Sequence, residues 1–226
     1  IMTLGRFFLC VCSVMTLWAC GSDESGEWPP IGDEGYHLMF LHSPSEMLTV
    51  YNARRHSAYK ESDLRVLVTS IPRTDPAYSS PQLYYDEGDK TMEQQMRSWI
   101  DPDGTKYNGD VPVVVEYRTE VCESISIKLY DKDDVLISDI TDKARFRDAV
   151  ETPEVGSYLL FDSSKKLLGK IREGTTIEEY LSQRPLVFAE AFIIFPELDA
   201  DFLNDGNYVR VEIALDNGLL LTANSR

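Results

Sequence analysis

Alternating apolar and polar positions dominate the second half of the chain. In residues 208–215, Val209, Val211, Ile213 and Leu215 fall on one side, the signature of a strand covered on one face. In 124–130, Ile125, Ile127 and Leu129 point one way and Ser126, Lys128 and Tyr130 the other. Residues 63–71 alternate in the same way, and Pro72 closes the run. Shorter strands are predicted over 36–42, which Ser43-Pro44-Ser45 ends, and over 46–51 and 111–117. Past the turn Asp131-Lys132-Asp133, residues 135–140 return, and 157–161 with 166–171 form a hairpin through Asp162-Ser163-Ser164. The run 186–195, apolar but for Glu190, reads as one strand. Asp216-Asn217-Gly218 supplies a hairpin turn into a last strand, 219–223.

Helical signals are few. Met92, Met96, Trp99 and Ile100 share one helical face, and Asp101-Pro102-Asp103-Gly104 ends that segment. Thr176-Ile177-Glu178-Glu179 has the spacing of a capping box and starts a short helix that Pro185 stops. Between 73 and 89, proline, serine and tyrosine predict a long loop. Short strands at regular spacing predict a mainly β protein, an immunoglobulin-like β-sandwich with one or two short helices. No repeat of about 20–50 residues is present.

The N-terminal pattern is different. Arg6 precedes an apolar run from Phe7 to Ala19, the anatomy of a secretory signal peptide. The run is shorter than the ~20 residues of a membrane-spanning helix. Leu17-Trp18-Ala19-Cys20 resembles a bacterial lipobox, in which the cysteine is lipidated and becomes the new N-terminus; Trp18 is bulkier than that pattern favours. The chain is thereby divided into a signal peptide (1–19), a lipidated flexible tether rich in Gly, Ser, Pro and acids (20–35) and a β-sandwich body (36–226). The body divides further into N-terminal strands with a variable segment (36–108) and an immunoglobulin-like part (109–226). The acids just after Cys20 resemble the surface-export signal of Bacteroidetes lipoproteins. An outer-membrane lipoprotein exposed at the cell surface is the resulting expectation.

Charge narrows the partners. All 38 acidic residues follow Cys20, and loss of Arg6 from the 22 basic residues leaves 21, a mature net charge of −17. Such a surface repels nucleic-acid phosphates, so the expected partners are the membrane, through the lipid on Cys20, and a glycan or an envelope protein. Cys10 and Cys12 leave with the signal and Cys20 carries lipid, so Cys122 has no partner for an internal disulfide and reads as a buried structural thiol.

The search for chemistry yields little. His37 and His42 are five residues apart and face opposite sides of an ideal strand, which argues against a joint metal site, and His56 stands alone. Metallohydrolase, serine-hydrolase and nucleotide-binding signatures are absent. Ser163-Ser164-Lys165-Lys166 and Ser57-Ala58-Tyr59-Lys60 both match Ser-x-x-Lys, and two hits without a companion motif read as chance. Asp131, Asp133 and Asp134, like Asp199, Asp201 and Asp205, invite a calcium reading, but Leu136 and Asn204 occupy the position where a calcium loop needs glycine. Aspartate-rich turns are the simpler account. No catalytic residue, metal or cofactor is assigned. The one patch with binding character is aromatic, Tyr78, Tyr84, Tyr85, Trp99 and Tyr107, whose rings could stack on sugars or anchor a partner.

Tyr51-Asn52-Ala53, Ile125-Ser126-Ile127, Ser138-Asp139-Ile140-Thr141-Asp142 with Phe146, Glu179-Tyr180-Leu181 and Leu215-Asp216-Asn217-Gly218 to Thr222 resemble the corresponding pieces of an uncharacterised family of Bacteroidetes lipoproteins, a domain of unknown function. The resemblance implies export, a lipid anchor and a β-rich fold, and it carries no catalytic residues. The expected function is a non-catalytic binding or accessory module of the envelope. An exported carboxylate-dependent hydrolase and a pilus-like structural component are the alternatives.

Overall fold

A computed structural model describes residues 38–52, 63–75, 80–81, 84–86, 113–147 and 159–225, all within the unit Gly35–Arg226. Fifteen strands stand among them, making the protein mainly β. In chain order they are β1 (Leu38–Ser43), β2 (Ser45–Asn52), β3 (Asp63–Pro72), β4 (Thr74–Asp75), β5 (Ser80–Pro81), β6 (Tyr84–Asp86), β7 (Val113–Arg118) and β8 (Cys122–Tyr130). There follow β9 (Leu136–Asp139), β10 (Arg145–Arg147), β11 (Leu159–Phe161), β12 (Leu167–Lys170), β13 (Glu190–Asp199), β14 (Tyr208–Leu215) and β15 (Leu220–Asn224). One α-helix, α1 (Ile177–Leu181), and two 3-10 turns, Thr141–Lys143 and Ala200–Asp205, complete the described elements.

Two four-stranded sheets carry the body, in the orders β10-β13-β3-β2 and β15-β14-β8-β9. Their inward residues meet in one hydrophobic cluster. Leu64, Val66 and Val68 of β3 and Ile193 and Phe195 of β13 come from the first sheet. Ile125, Ile127 and Leu129 of β8 and Val209, Val211, Ile213 and Leu215 of β14 come from the second. Each such side chain contributes roughly 1.5–3 kcal/mol of hydrophobic free energy on burial. Alternation predicts the inward sets of β8 and β14, whose other faces hold the half-buried and exposed residues, whereas Ile193 and Phe195 come from the apolar run, with Ala191 and Phe192 of β13 buried as well. The arrangement is consistent with a β-sandwich.

The sheets also touch at their edges: Val50 of β2 bridges Ser225, just past β15, in parallel. A third sheet has the order β6-β1-β7, with β1 antiparallel to β6 and parallel to β7. β1 passes into β2 through Pro44, and β7 passes into β8 through residues 119–121. The chain therefore leaves the third sheet for the two main sheets at both places.

Three expectations need correction. The strand predicted over 186–195 begins at Glu190 and runs on to Asp199. Leu186, Val187, Phe188 and Ala189 are buried but irregular, because their backbone bonds go elsewhere: Leu186 N–H to Phe161 O (2.8 Å) and Val187 N–H to Glu120 O (2.9 Å). The loop predicted over 73–89 contains β4, β5 and β6, which take their order from pairing with each other and with β1. β8 starts at Cys122, two residues earlier than its alternation begins.

Local signals held where they were self-contained. Thr176 Oγ1 accepts from the Glu179 N–H (3.1 Å), and Glu179 Oε2 accepts from the Thr176 N–H (2.8 Å), which closes the capping box of α1. Gly218 sits at φ 82° between β14 and β15, and the Asn217 side chain accepts from the Leu219 N–H at 2.9 Å. A Cβ at Gly218 would meet nothing within 4 Å. Gly218→Ala is therefore expected to cost only the left-handed backbone term, about 1 kcal/mol, as a lower urea midpoint with unchanged slope.

Candidate functional site

Tyr78, Trp99 and Tyr107 lie outside the described residues, as do Cys20, His37, His56, Ser57 and the helical face Met92–Ile100. Tyr84 and Tyr85 lie on β6, in register with His42 and Leu41 of β1. Two other polar constructions stand out in the described body.

The first lies where the two chain passages leave the third sheet. Ser43, Ser45 and Ser70 are each 0% exposed and Arg118 is 2% exposed. The Glu120 carboxylate accepts from the Ser45 N–H at 2.9 and 3.1 Å and from the Ser45 hydroxyl at 3.2 Å. The Ser70 hydroxyl donates to Ser45 Oγ at 3.0 Å. Arg118 donates from Nε to Ser70 O (2.9 Å) and from Nη2 to the same oxygen, and from Nη1 to Ser43 Oγ (3.3 Å) and Glu116 Oε1 (2.6 Å). A serine beside a carboxylate has the parts of an activated nucleophile, but a nucleophile must meet substrate, and these serines are sealed. The cluster instead ties the β1–β2 and β7–β8 passages to β3. Nothing local announced it, although Glu116, Arg118 and Glu120 alternate as charges at the end of an apolar run.

The second is the outer face of the β15-β14-β8-β9 sheet. Tyr130 and Tyr208 stack with ring centroids 5.5 Å apart and planes 7° from parallel. The Arg210 guanidinium lies 4.2 Å from the Tyr130 centroid, and its Nη2 donates to Asp134 Oδ1 (2.7 Å) and Tyr208 Oη (2.9 Å). The Tyr208 hydroxyl also donates to Asp134, and Arg210 Nε donates to Asn224 Oδ1 at 2.9 Å. Lys128 and Glu212 pair beside this group at 3.1 Å. The ladder fastens the β8–β9 turn, where Asp134 takes φ 65°. Within the turn, Asp131 Oδ1 accepts from the N–H groups of Asp133 (2.9 Å) and Val135 (2.8 Å).

Just past the turn the chain exposes three consecutive apolar side chains, Val135 (58%), Leu136 (51%) and Ile137 (50%). All four residues of β9 are exposed, and among the described residues β9 is the outermost strand of its sheet. Leu136 opposes Tyr130 and Asp139 opposes Lys128, so both share the face of the tyrosine–arginine ladder. Sequence reading placed a returning strand here, but an edge position depends on the order of all four strands.

The remaining candidates have local roles. The Asp199 side chain accepts from the Asp201 N–H (2.9 Å) and Asp201 accepts from Asn204 Nδ2 (2.9 Å). Among the described residues no group of three or more His, Cys, Asp or Glu side chains is placed to hold a metal ion. Ser163 and Ser164 occupy the exposed β11–β12 turn, and Asp162 Oδ1 accepts from Ser164 Oγ (2.6 Å) and from the Ser164 and Lys166 N–H groups (2.8 and 3.0 Å). His42 packs 5.7 Å from the Tyr117 ring, which stacks on Phe161 at 4.8 Å. Cys122 is buried, and burial pushes its thiol up to about 12, which keeps it protonated and unreactive at neutral pH.

Hydrogen bonds from Thr141 hold the Asp139 carboxyl below its ordinary range, and those from Ser164 and Lys166 do so for Asp162. A depressed carboxylate adds stability that is present above its ordinary value, near pH 4, and is lost as the pH falls through the lowered folded value. The melting temperature is therefore expected to fall below about pH 4, and Asp139→Asn and Asp162→Asn should each flatten that fall. Solvent screening keeps each contribution under about 1 kcal/mol.

No helix among the described residues is long and apolar enough to cross a membrane. Compared with known protein families, with curated proteins and with solved structures, the chain matches none.

Proposed function

We propose that this chain is an exported, lipid-anchored protein of the outer membrane, exposed at the cell surface, whose immunoglobulin-like β-sandwich body is a non-catalytic accessory module that binds an envelope protein. The observation that carries the binding role is the exposed run Val135-Leu136-Ile137, which leads into the edge strand β9. Water-exposed apolar side chains in a contiguous group mark interaction surfaces. The anchor rests on the lipobox-like Leu17-Trp18-Ala19-Cys20, and several acyl chains on one cysteine hold a protein firmly. The non-catalytic reading draws on the sealing of Ser45, Ser70 and Glu120, the one serine–carboxylate cluster in the described core.

The test uses the full-length protein in a diderm bacterium fed a clickable fatty acid. The labelled protein is expected in the membrane fraction, accessible to protease on intact cells, with the label lost in Cys20→Ser. Amine-reactive crosslinking of whole cells should move it into one discrete heavier species. An unlabelled, soluble protein would overturn the anchor, and a species that crosslinking never shifts would overturn the accessory role.

A further inference from the structure

We infer that the edge of β9, which no described residue covers, is completed by an extended strand of the partner protein, one that alternates apolar with basic residues. The inference rests on the accessory reading above and names the partner's chemistry.

The two main sheets have four edges, and among the described residues three are covered. β2 and β15 lie against each other through the Val50–Ser225 bridge. β10 is capped by the segment before α1: the Phe146 N–H donates to Thr175 O at 2.9 Å, the Gly174 N–H donates to Phe146 O at 2.8 Å, and Arg145 bridges Thr176. β9 pairs with β8 on one side and with no described residue on the other. An edge strand presents backbone donors and acceptors at the spacing of another strand, so its natural occupant is an extended peptide.

Side chains and charge narrow that occupant. Leu136 and Ile137 offer apolar contacts on a strand that carries no lysine, the residue that most often blocks edge pairing. Asp131, Asp133, Asp134 and Asp139 outnumber Lys132 along 131–139, a local net charge of −3. Asp133 is exposed, Arg210 answers Asp134, and Lys128 lies opposite Asp139, so the acids still prevail around the edge. A second copy of this chain would bring the same acids together at the same edge, so charge disfavours self-pairing and favours a basic strand. The four-residue length of β9 and the register shift between Leu129 and Tyr130 suit a specific, modest contact rather than open-ended aggregation.

The test titrates the full chain with two short synthetic peptides, one alternating valine and lysine and one alternating valine and glutamate. Binding is read by anisotropy, and the site by amide hydrogen exchange. The valine–lysine peptide is expected to bind saturably, more weakly at higher salt, and to protect amides within 135–139. The glutamate peptide should not bind. Leu136→Lys with Ile137→Lys should weaken binding at least ten-fold with an unchanged melting temperature, since both side chains are exposed. Asp133→Lys should weaken it several-fold without touching the strand. Protection elsewhere, equal binding of both peptides, or no binding overturns the inference. Concentration-dependent protection of 135–139 without peptide also overturns it, in favour of a second copy. The crosslinking result in cells is scored independently, so a failed edge and a failed accessory role are told apart.

Discussion

Phe146→Ala is expected to cost about 3–5 kcal/mol, a large part of the ~5–15 kcal/mol that holds a domain together. Phe146 is 1% exposed and meets Tyr180 at 5.0 Å and Phe188 edge-on at 5.9 Å, with Tyr180 and Phe188 also 5.9 Å apart. This cluster joins β10, α1 and the irregular segment before β13, three pieces with few regular backbone bonds between them. The Tyr180 hydroxyl donates to Leu186 O at 2.8 Å, so the ring is held at both ends and does not readily move into a cavity left at position 146. Guanidinium unfolding followed by circular dichroism checks the value. A loss under about 1 kcal/mol would mean that the cluster repacks freely.

Glu120→Ala should cost about 3 kcal/mol, although it removes a charged residue and leaves every strand residue in place. Its carboxylate takes two bonds from the Ser45 N–H and one from the Ser45 hydroxyl, and alanine would leave those buried donors without their acceptor. Glu120→Gln keeps an oxygen for the Ser45 N–H and should cost about 1 kcal/mol. The ordering of the two variants in a urea series is the discriminating result. Equal, small losses would place Glu120 at the surface in solution and dissolve the clamp between the two chain passages.

The legible parts of this fold were those whose cause is local. Val209, Val211, Ile213 and Leu215 had one face toward the core and one toward water, and alternation recorded it. Thr176 and Glu179 satisfy each other within one turn. Apolarity over 186–195 reports burial and not backbone form: Leu186 to Ala189 are buried without being a strand, and the strand begins at Glu190, the one charged residue of the run. The parallel pairing of β1 with β7 depends on segments far apart in sequence, and no spacing rule reaches it. The same holds for the clamp: Ser45 and Glu120 are 75 residues apart. The aromatic patch drew attention by composition alone, whereas the exposed apolar run on β9 became visible only once the sheet order was known.

The central claim is that the body meets an envelope protein at the β9 edge. A photoreactive residue placed at Ile137 of the chain, with a control at Tyr51, tests it in intact cells; both side chains are exposed, and they sit on different strands. The account predicts one heterologous adduct from position 137 that high salt suppresses, and none from position 51. No adduct from 137, an adduct of the protein with itself, or a stronger adduct from 51 would contradict it.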